Sequence, residues 1–186
     1  YTPWKRVHPT GNPNEIPDGI STPEISLSTI NGEEASDISL EMGNAISIPF
    51  EGSLVSNSFL SAITNGKAIR ITIPENWRKE TPLILDIKPT GGLDAVHIHV
   101  ETGKFSEATI LTRIQGSSEW LGILRTGHTG VGSFLQDVFV NKARDGNLMR
   151  VDALKLGRDS SVTAGTVSAG SAWTKADIRY LLDAPG

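Results

Sequence analysis

Cysteine is absent from all 186 residues, which excludes a disulfide framework and a thiolate metal site and leaves the core to packing alone. No run approaches the roughly 20 apolar residues that a spanning helix needs, so no membrane partner is expected. No basic-then-apolar leader opens the chain either; it begins Tyr1-Thr2-Pro3-Trp4 without a methionine, which reads either as a processed product or as a chain trimmed at its start. Excess positive charge is missing too. With 17 Lys and Arg against 21 Asp and Glu the formal charge is −4, and high-affinity binding to a phosphate backbone is not the default. No long amphipathic helix is visible, and no internal repeat of the fixed period that a propeller or solenoid needs, because the gaps between apolar segments vary.

What is present is alternation. From Ser53 a small apolar knot, Phe59 to Ile63, turns through Asn65-Gly66 into Ala68-Ile69-Arg70-Ile71-Thr72-Ile73, where isoleucines alternate with small or polar residues until Pro74. That period of two is the mark of a half-buried strand. Further strands are expected at Ile25–Ile30, Ile38–Ile48, Leu83–Ile87, Ala95–Val100, Ala108–Ile114, Glu119–Leu124, Phe134–Asn141, Met149–Leu156 and Trp173–Leu182. Thr126 to Ser133 and Ser160 to Ser171 read as small-residue loops. Residues 1–23 carry Pro3, Pro9, Pro13, Pro17 and Pro23, which disfavour helix and interior strand and predict an extended arm, with residues 24–186 as one domain. Tyr1 and Trp4 are bulky for a free tail, so two readings of the arm stand side by side: docking on a surface, its own or a neighbour's, and a disordered linker. Many short strands separated by turns favour an all-β, antiparallel, eight-stranded jelly-roll sandwich.

Chemistry-bearing motifs are few. His97-Ile98-His99 places two imidazoles on one face of a strand, a pair that suits a divalent metal, against the plainer reading of two hydrogen-bonded strand histidines. Gly91, His97 and His99 have the spacing that opens the first cupin motif, but Gly103 and Lys104 stand where its glutamate belongs, and His128 lacks the proline of the second motif. Gly127 to Ser133 has the glycines of a phosphate loop without its lysine. No G-x-S-x-G elbow occurs, and the histidines show no order that selects a catalytic triad. No catalytic residue, metal or cofactor is therefore assigned, and no enzyme is expected. The four tryptophans suit either sugar stacking or packing, with Trp77 and Trp120, like Tyr1 and Trp4, expected at subunit contacts.

The order of features in residues 53–186 resembles the jelly-roll coat protein of picorna-like plant viruses, the secovirus family with its nepoviruses and cheraviruses. The likeness is carried by the Ser53–Ser56 lead, the knot, the strand Lys67–Ile73, the segment Leu148–Gly157, the small-residue loop Val162–Ser171 and the closing strand Lys175–Tyr180. It implies a structural subunit of an icosahedral virion, cut from a polyprotein made in the host cytoplasm. Its partners would be other coat subunits, with at most a weak contact to genomic RNA on the inner surface. The rival readings are a carbohydrate-binding β-sandwich module, as in a phage tail fibre or attached to a glycoside hydrolase, and a cupin-like metalloenzyme.

Overall fold

A computed structural model describes residues 4–12, 15–45 and 55–182. The elements are helix α1 (Trp4–Val7), strands β1 (Glu24–Thr29) and β2 (Ser39–Asn44), helix α2 (Val55–Ile63), then β3 (Lys67–Ile73), β4 (Leu83–Lys88), β5 (Leu93–Thr102), β6 (Glu107–Ile114), β7 (Trp120–Thr129), β8 (Phe134–Asn141), β9 (Asn147–Leu156), β10 (Ser161–Ser168) and β11 (Trp173–Leu182). They form two sheets, ordered β1-β4-β6-β8-β10 and β11-β9-β7-β5-β3-β2. The expectation of an all-β chain holds. The antiparallel jelly roll does not.

From β3 onward every lateral pairing is parallel, and the chain alternates between the two sheets, so the molecule is a β-solenoid of about four turns. Only β1 on β4 and β2 on β3 run antiparallel, and these two strands form the N-terminal edges of the two sheets. The expectation that no fixed repeat exists is corrected with it. Leu83 lies beside Ile110, Leu93 beside Trp120, Glu107 beside Phe134, Trp120 beside Asn147 and Phe134 beside Ser161, a period of 27 residues. Alternation alone could not reveal this, because a strand's in-and-out pattern is the same whether its neighbour is parallel or antiparallel.

The repeat is visible in one turn. Thr102-Gly103-Lys104-Phe105-Ser106, Thr129-Gly130-Val131-Gly132-Ser133 and Leu156-Gly157-Arg158-Asp159-Ser160 carry the chain from one sheet to the other at the same point of successive coils. In each, the serine hydroxyl donates to the glycine carbonyl, at 2.8, 2.7 and 2.7 Å. In each, the residue before the serine has a left-handed backbone, with φ of 55° at Phe105, 63° at Gly132 and 57° at Asp159. The turns also bond to one another: Thr102 Oγ1 donates to Ser133 Oγ at 3.1 Å, and Thr129 Oγ1 meets Ser160 Oγ at 2.7 Å. Gly130 must lack a side chain because a Cβ there would sit 2.6 Å from the Gly103 carbonyl carbon of the coil beneath.

Most of the space between the sheets is filled by an apolar core that includes Ile71, Ile73, Leu85, Ile87, Ile98, Ile110, Ile123 and Phe139. A second cluster lies on the outer face of the six-stranded sheet, where Phe59, Leu60 and Ile63 of α2 cover Ala95, Trp120, Leu124, Met149 and Val151. This is the physical role of the expected apolar knot: it is an amphipathic helix, held against the sheet by its buried face. Asn65 and Gly66 turn the chain out of it with φ of 51° and 65°, the conformation that these residue types tolerate best. The small-residue stretch expected to be a loop contains β10, which its parallel partner β8 holds in register.

Inside the solenoid four charges replace apolar residues. Arg125 Nη2 donates to Asp137 Oδ1 at 2.7 Å and Arg125 Nη1 to Asp152 Oδ2 at 3.4 Å. Arg150 Nε donates to Asp152 Oδ1 at 2.9 Å, a second Arg150 nitrogen bonds Asp152 Oδ2, and the guanidinium lies 3.8 Å from the Phe139 ring centre. Burial works against the Arg125 charge, but Asp137 and Asp152 outweigh it and raise its pKa. The set is neutral as a whole, so breaking one member costs more than removing a matched pair.

Two substitutions test this framework by chemical denaturation. Gly130→Ala should destabilise the protein by about 1–3 kcal/mol, the cost of forcing atoms into a filled space, while Ala at the open Gly165 should be far milder. Arg125→Met should cost about 3–5 kcal/mol, and adding Asp137→Leu should recover much of that loss.

Candidate functional site

The two sequence-predicted histidines meet on the outer face of the six-stranded sheet. His97 and His99 alternate with the inward-facing Val96, Ile98 and Val100 of β5, so both rings point away from the interior. Both are buried. The hydroxyl of Thr126, on the neighbouring β7, lies 2.7 Å from His97 Nε2 and 2.7 Å from His99 Nδ1, and His99 Nε2 lies 3.1 Å from Glu101 Oε1. The four residues form one hydrogen-bonded chain.

Its polarity follows from donor and acceptor chemistry. A carboxylate only accepts, so His99 carries its proton on Nε2 and offers the Nδ1 lone pair to the Thr126 hydroxyl. Thr126 spends its single hydrogen there, and its oxygen accepts from His97 Nε2–H. The Nδ1 atom of His97 is thereby left as a bare acceptor, buried and without a partner among the described residues. Burial, reinforced by the neighbouring His99, pushes the His97 pKa down to about 4. Burial also lowers that of His99, against the pull of Glu101.

Among the described residues no group of three or more His, Cys, Asp and Glu is placed to hold a metal ion. The partner between the two imidazoles is a hydroxyl, Thr126, which sequence reasoning missed. The signal for it lay in the 27-residue register, which sets Thr126 beside His99.

The remaining sequence-predicted residues lie elsewhere. Trp120 is buried under the N-terminal segment, where its indole N–H donates to the Val7 carbonyl, and its ring packs edge-on against Phe59 at 6.0 Å. Trp77 is buried at the closed end and donates to Asp37 Oδ2 at 2.6 Å. Both indoles are thus occupied within the protomer. Trp4 begins α1, and Tyr1 lies outside the described residues.

The second candidate region is the C-terminal end of the solenoid. β10 and β11 are the terminal strands of their sheets, and among the described residues nothing pairs with their outer edges. Register places Thr174, Ala176, Ile178 and Tyr180 of β11 over Leu148, Arg150, Asp152 and Leu154, in line with the interior. Yet Ile178 is 38% exposed, Tyr180 37% and Leu182 75%, whereas Asp152 and Leu154 one coil below are buried. Among the described residues the apolar line of the interior is therefore left partly open there.

The fold defines a class, a two-sheet parallel β-solenoid that is flanked at its N-terminal end by antiparallel strands and whose parallel ladders run, among the described residues, to the unpaired edges of β10 and β11. Comparison with family models, curated proteins and solved structures found no match. No helix among the described residues is long and apolar enough to cross a membrane.

The neutral state of His97 gives a pH dependence with a definite sign. Its folded pKa lies below the ordinary 6.5, so its stabilisation is complete above pH 6.5 and is lost as pH falls from 6.5 toward about 4. Over that window His97 should account for about 3 kcal/mol, and His97→Gln should flatten the fall in thermal midpoint between pH 7 and 4.5. An unchanged slope in the variant would show that this imidazole is not held neutral.

Proposed function

We propose that the chain is a structural, assembly-forming protein whose working surface is the open end of the solenoid, and that its partner there is a second copy of the chain. The observation that carries the reading is the asymmetry of the two ends. Solenoids need a polar or capping terminal unit to stay soluble, and exposed strand edges recruit further strands. Here β1 and β2 end the sheets with short antiparallel strands of six residues each, while among the described residues β10 and β11 carry the parallel ladders out to edges of eight and ten residues beside Ile178, Tyr180 and Leu182.

A head-to-tail filament is disfavoured, because the antiparallel cap presents no continuation of the parallel ladder. Two open ends related by a two-fold axis fit better. β11 then pairs antiparallel with β11 of the other copy and β10 with β10, strands of equal length, and both sheets run on through the dimer. Eighteen edge residues on each side are ample for the roughly ten direct hydrogen bonds of an ordinary interface.

A structural role continues what the sequence suggests, without the antiparallel jelly-roll sandwich. Incorporation into a viral coat is one use of such a unit, supported by the resemblance in residues 53–186 and by no feature of the site.

Sedimentation velocity at micromolar concentration should give a dimer. Ile178→Lys with Leu182→Lys should weaken it at least tenfold without changing the thermal midpoint of the monomer, and Thr163→Lys, on the outward face of β10, should do much less. A wild-type monomer at 100 µM, or an open ladder of oligomers, would refute the two-fold pairing.

A further inference from the structure

Along β11, Thr174, Ala176, Ile178, Tyr180 and Leu182 continue the line of the interior, while Lys175, Asp177, Arg179 and Leu181 belong to the outer face. If β11 pairs antiparallel with its copy, inward residues must lie opposite inward residues, because a slip of one position turns the apolar line outward. A residue, not a peptide bond, therefore lies on the two-fold axis. Charge decides which one. Asp177 and Arg179 are partners on the outer face, with Arg179 Nε 3.3 Å from Asp177 Oδ1. With Ile178 on the axis, each Asp177 faces the other copy's Arg179, and the two pairs form a square of alternating sign. With Asp177 on the axis, carboxylate faces carboxylate and Lys175 faces Arg179. With Arg179 on the axis, two guanidinium groups meet. Opposite charges across a strand pair stabilise it, and like charges directly opposite destabilise it.

The second sheet selects the same axis. Ile178 stacks over Asp152 and Asp152 over Arg125, while Ala164 of β10 stacks over Asp137. The 2.7 Å bond between Arg125 and Asp137 sets these two lines face to face across the interior. An axis through Ile178 therefore also passes at Ala164, which again puts a residue on it and keeps inward side chains opposite inward ones. Residues 174–182 of β11 and 161–167 of β10 are then paired together. An axis through Ala176 would also oppose unlike charges, Asp177 to Lys175, but it leaves Tyr180 and Leu182 beyond the paired stretch. We propose that two copies meet in this one register, with Ile178 opposite Ile178, Ala176 opposite Tyr180 and Thr174 opposite Leu182, and that Asp177 and Arg179 select it. The large Tyr180 then faces the small Ala176, as interdigitating layers require. The inference rests on the two-fold assembly proposed above and adds the residues that decide which edge is accepted.

Asp177→Arg brings only cations together around the axis, and Arg179→Asp only carboxylates. Each variant alone should dimerise at least about tenfold more weakly than the wild type by sedimentation velocity. An equimolar mixture of the two should restore a dimer containing one copy of each, identified by its intermediate mass in native mass spectrometry. Rescue in the mixture separates lost pairing from lost folding. Because the chain has no cysteine, Ile178→Cys gives an independent reading of the register. On oxidation it should yield a disulfide-linked dimer, whereas Ala176→Cys, which lies opposite Tyr180, should not. A wild-type monomer would overturn the assembly and this register with it. A wild-type dimer would overturn the register alone if it tolerated both charge reversals, if the mixture formed no mixed dimer, or if Ala176→Cys cross-linked and Ile178→Cys did not.

Discussion

The structure depends on one four-residue turn that can be stacked on copies of itself. Gly103, Gly130 and Gly157 let successive coils approach to a distance that a Cβ would forbid, and Ser106, Ser133 and Ser160 close each turn onto its own glycine carbonyl. Because each turn also bonds to its neighbour through Thr102 and Thr129, the spacing set at this corner is carried into both sheets. The parallel ladders follow from that spacing: once the corners are aligned, strands of matching length have no other partner within reach.

With the register fixed, polar residues could be placed where an unaligned sheet would not tolerate them. Arg125 stacks over Asp152 in adjacent strands and meets Asp137 from the opposite sheet, so opposite charges lie together in a space otherwise filled by isoleucine and leucine. On the outer face the same alignment sets Thr126 between His97 and His99. In both places side chains 27 to 29 positions apart are brought into hydrogen-bonding distance by coil stacking. A buried polar network is favourable only when its members are satisfied together, and among the described residues Arg125 Nε and Asp137 Oδ2 in the interior and His97 Nδ1 on the outer face are left without a partner.

The two ends of the solenoid differ in kind. At one, β1 and β2 reverse direction at the edges of the two sheets, with Trp77, Asp37 and Lys79 forming a polar edge. At the other, β10 and β11 keep the parallel direction and are the last strands among the described residues. The outer face is treated differently again, since α2 and the segment around Val7 and His8 cover it from the same chain, with the rings of His8 and Phe59 only 4.5 Å apart.

The sequence by itself determined the strands. Ile69, Ile71 and Ile73, or Ile110 and Ile114, announce a half-buried strand through local alternation, and the ends at Pro74 and Asn65-Gly66 are equally local. It also held the repeat, in Thr-Gly-x-x-Ser at 102 and 129 and Leu-Gly-x-x-Ser at 156, although a search by strand gaps passes over a period that is kept at the corner. Only the tertiary structure decided that neighbouring strands are parallel, that Ser161–Ser168 is a strand at all, and that Thr126 separates the two histidines. Those are properties of register between distant segments. A residue's own neighbours fix which way its side chain points, but which coil lies beside it is decided by packing over the whole solenoid.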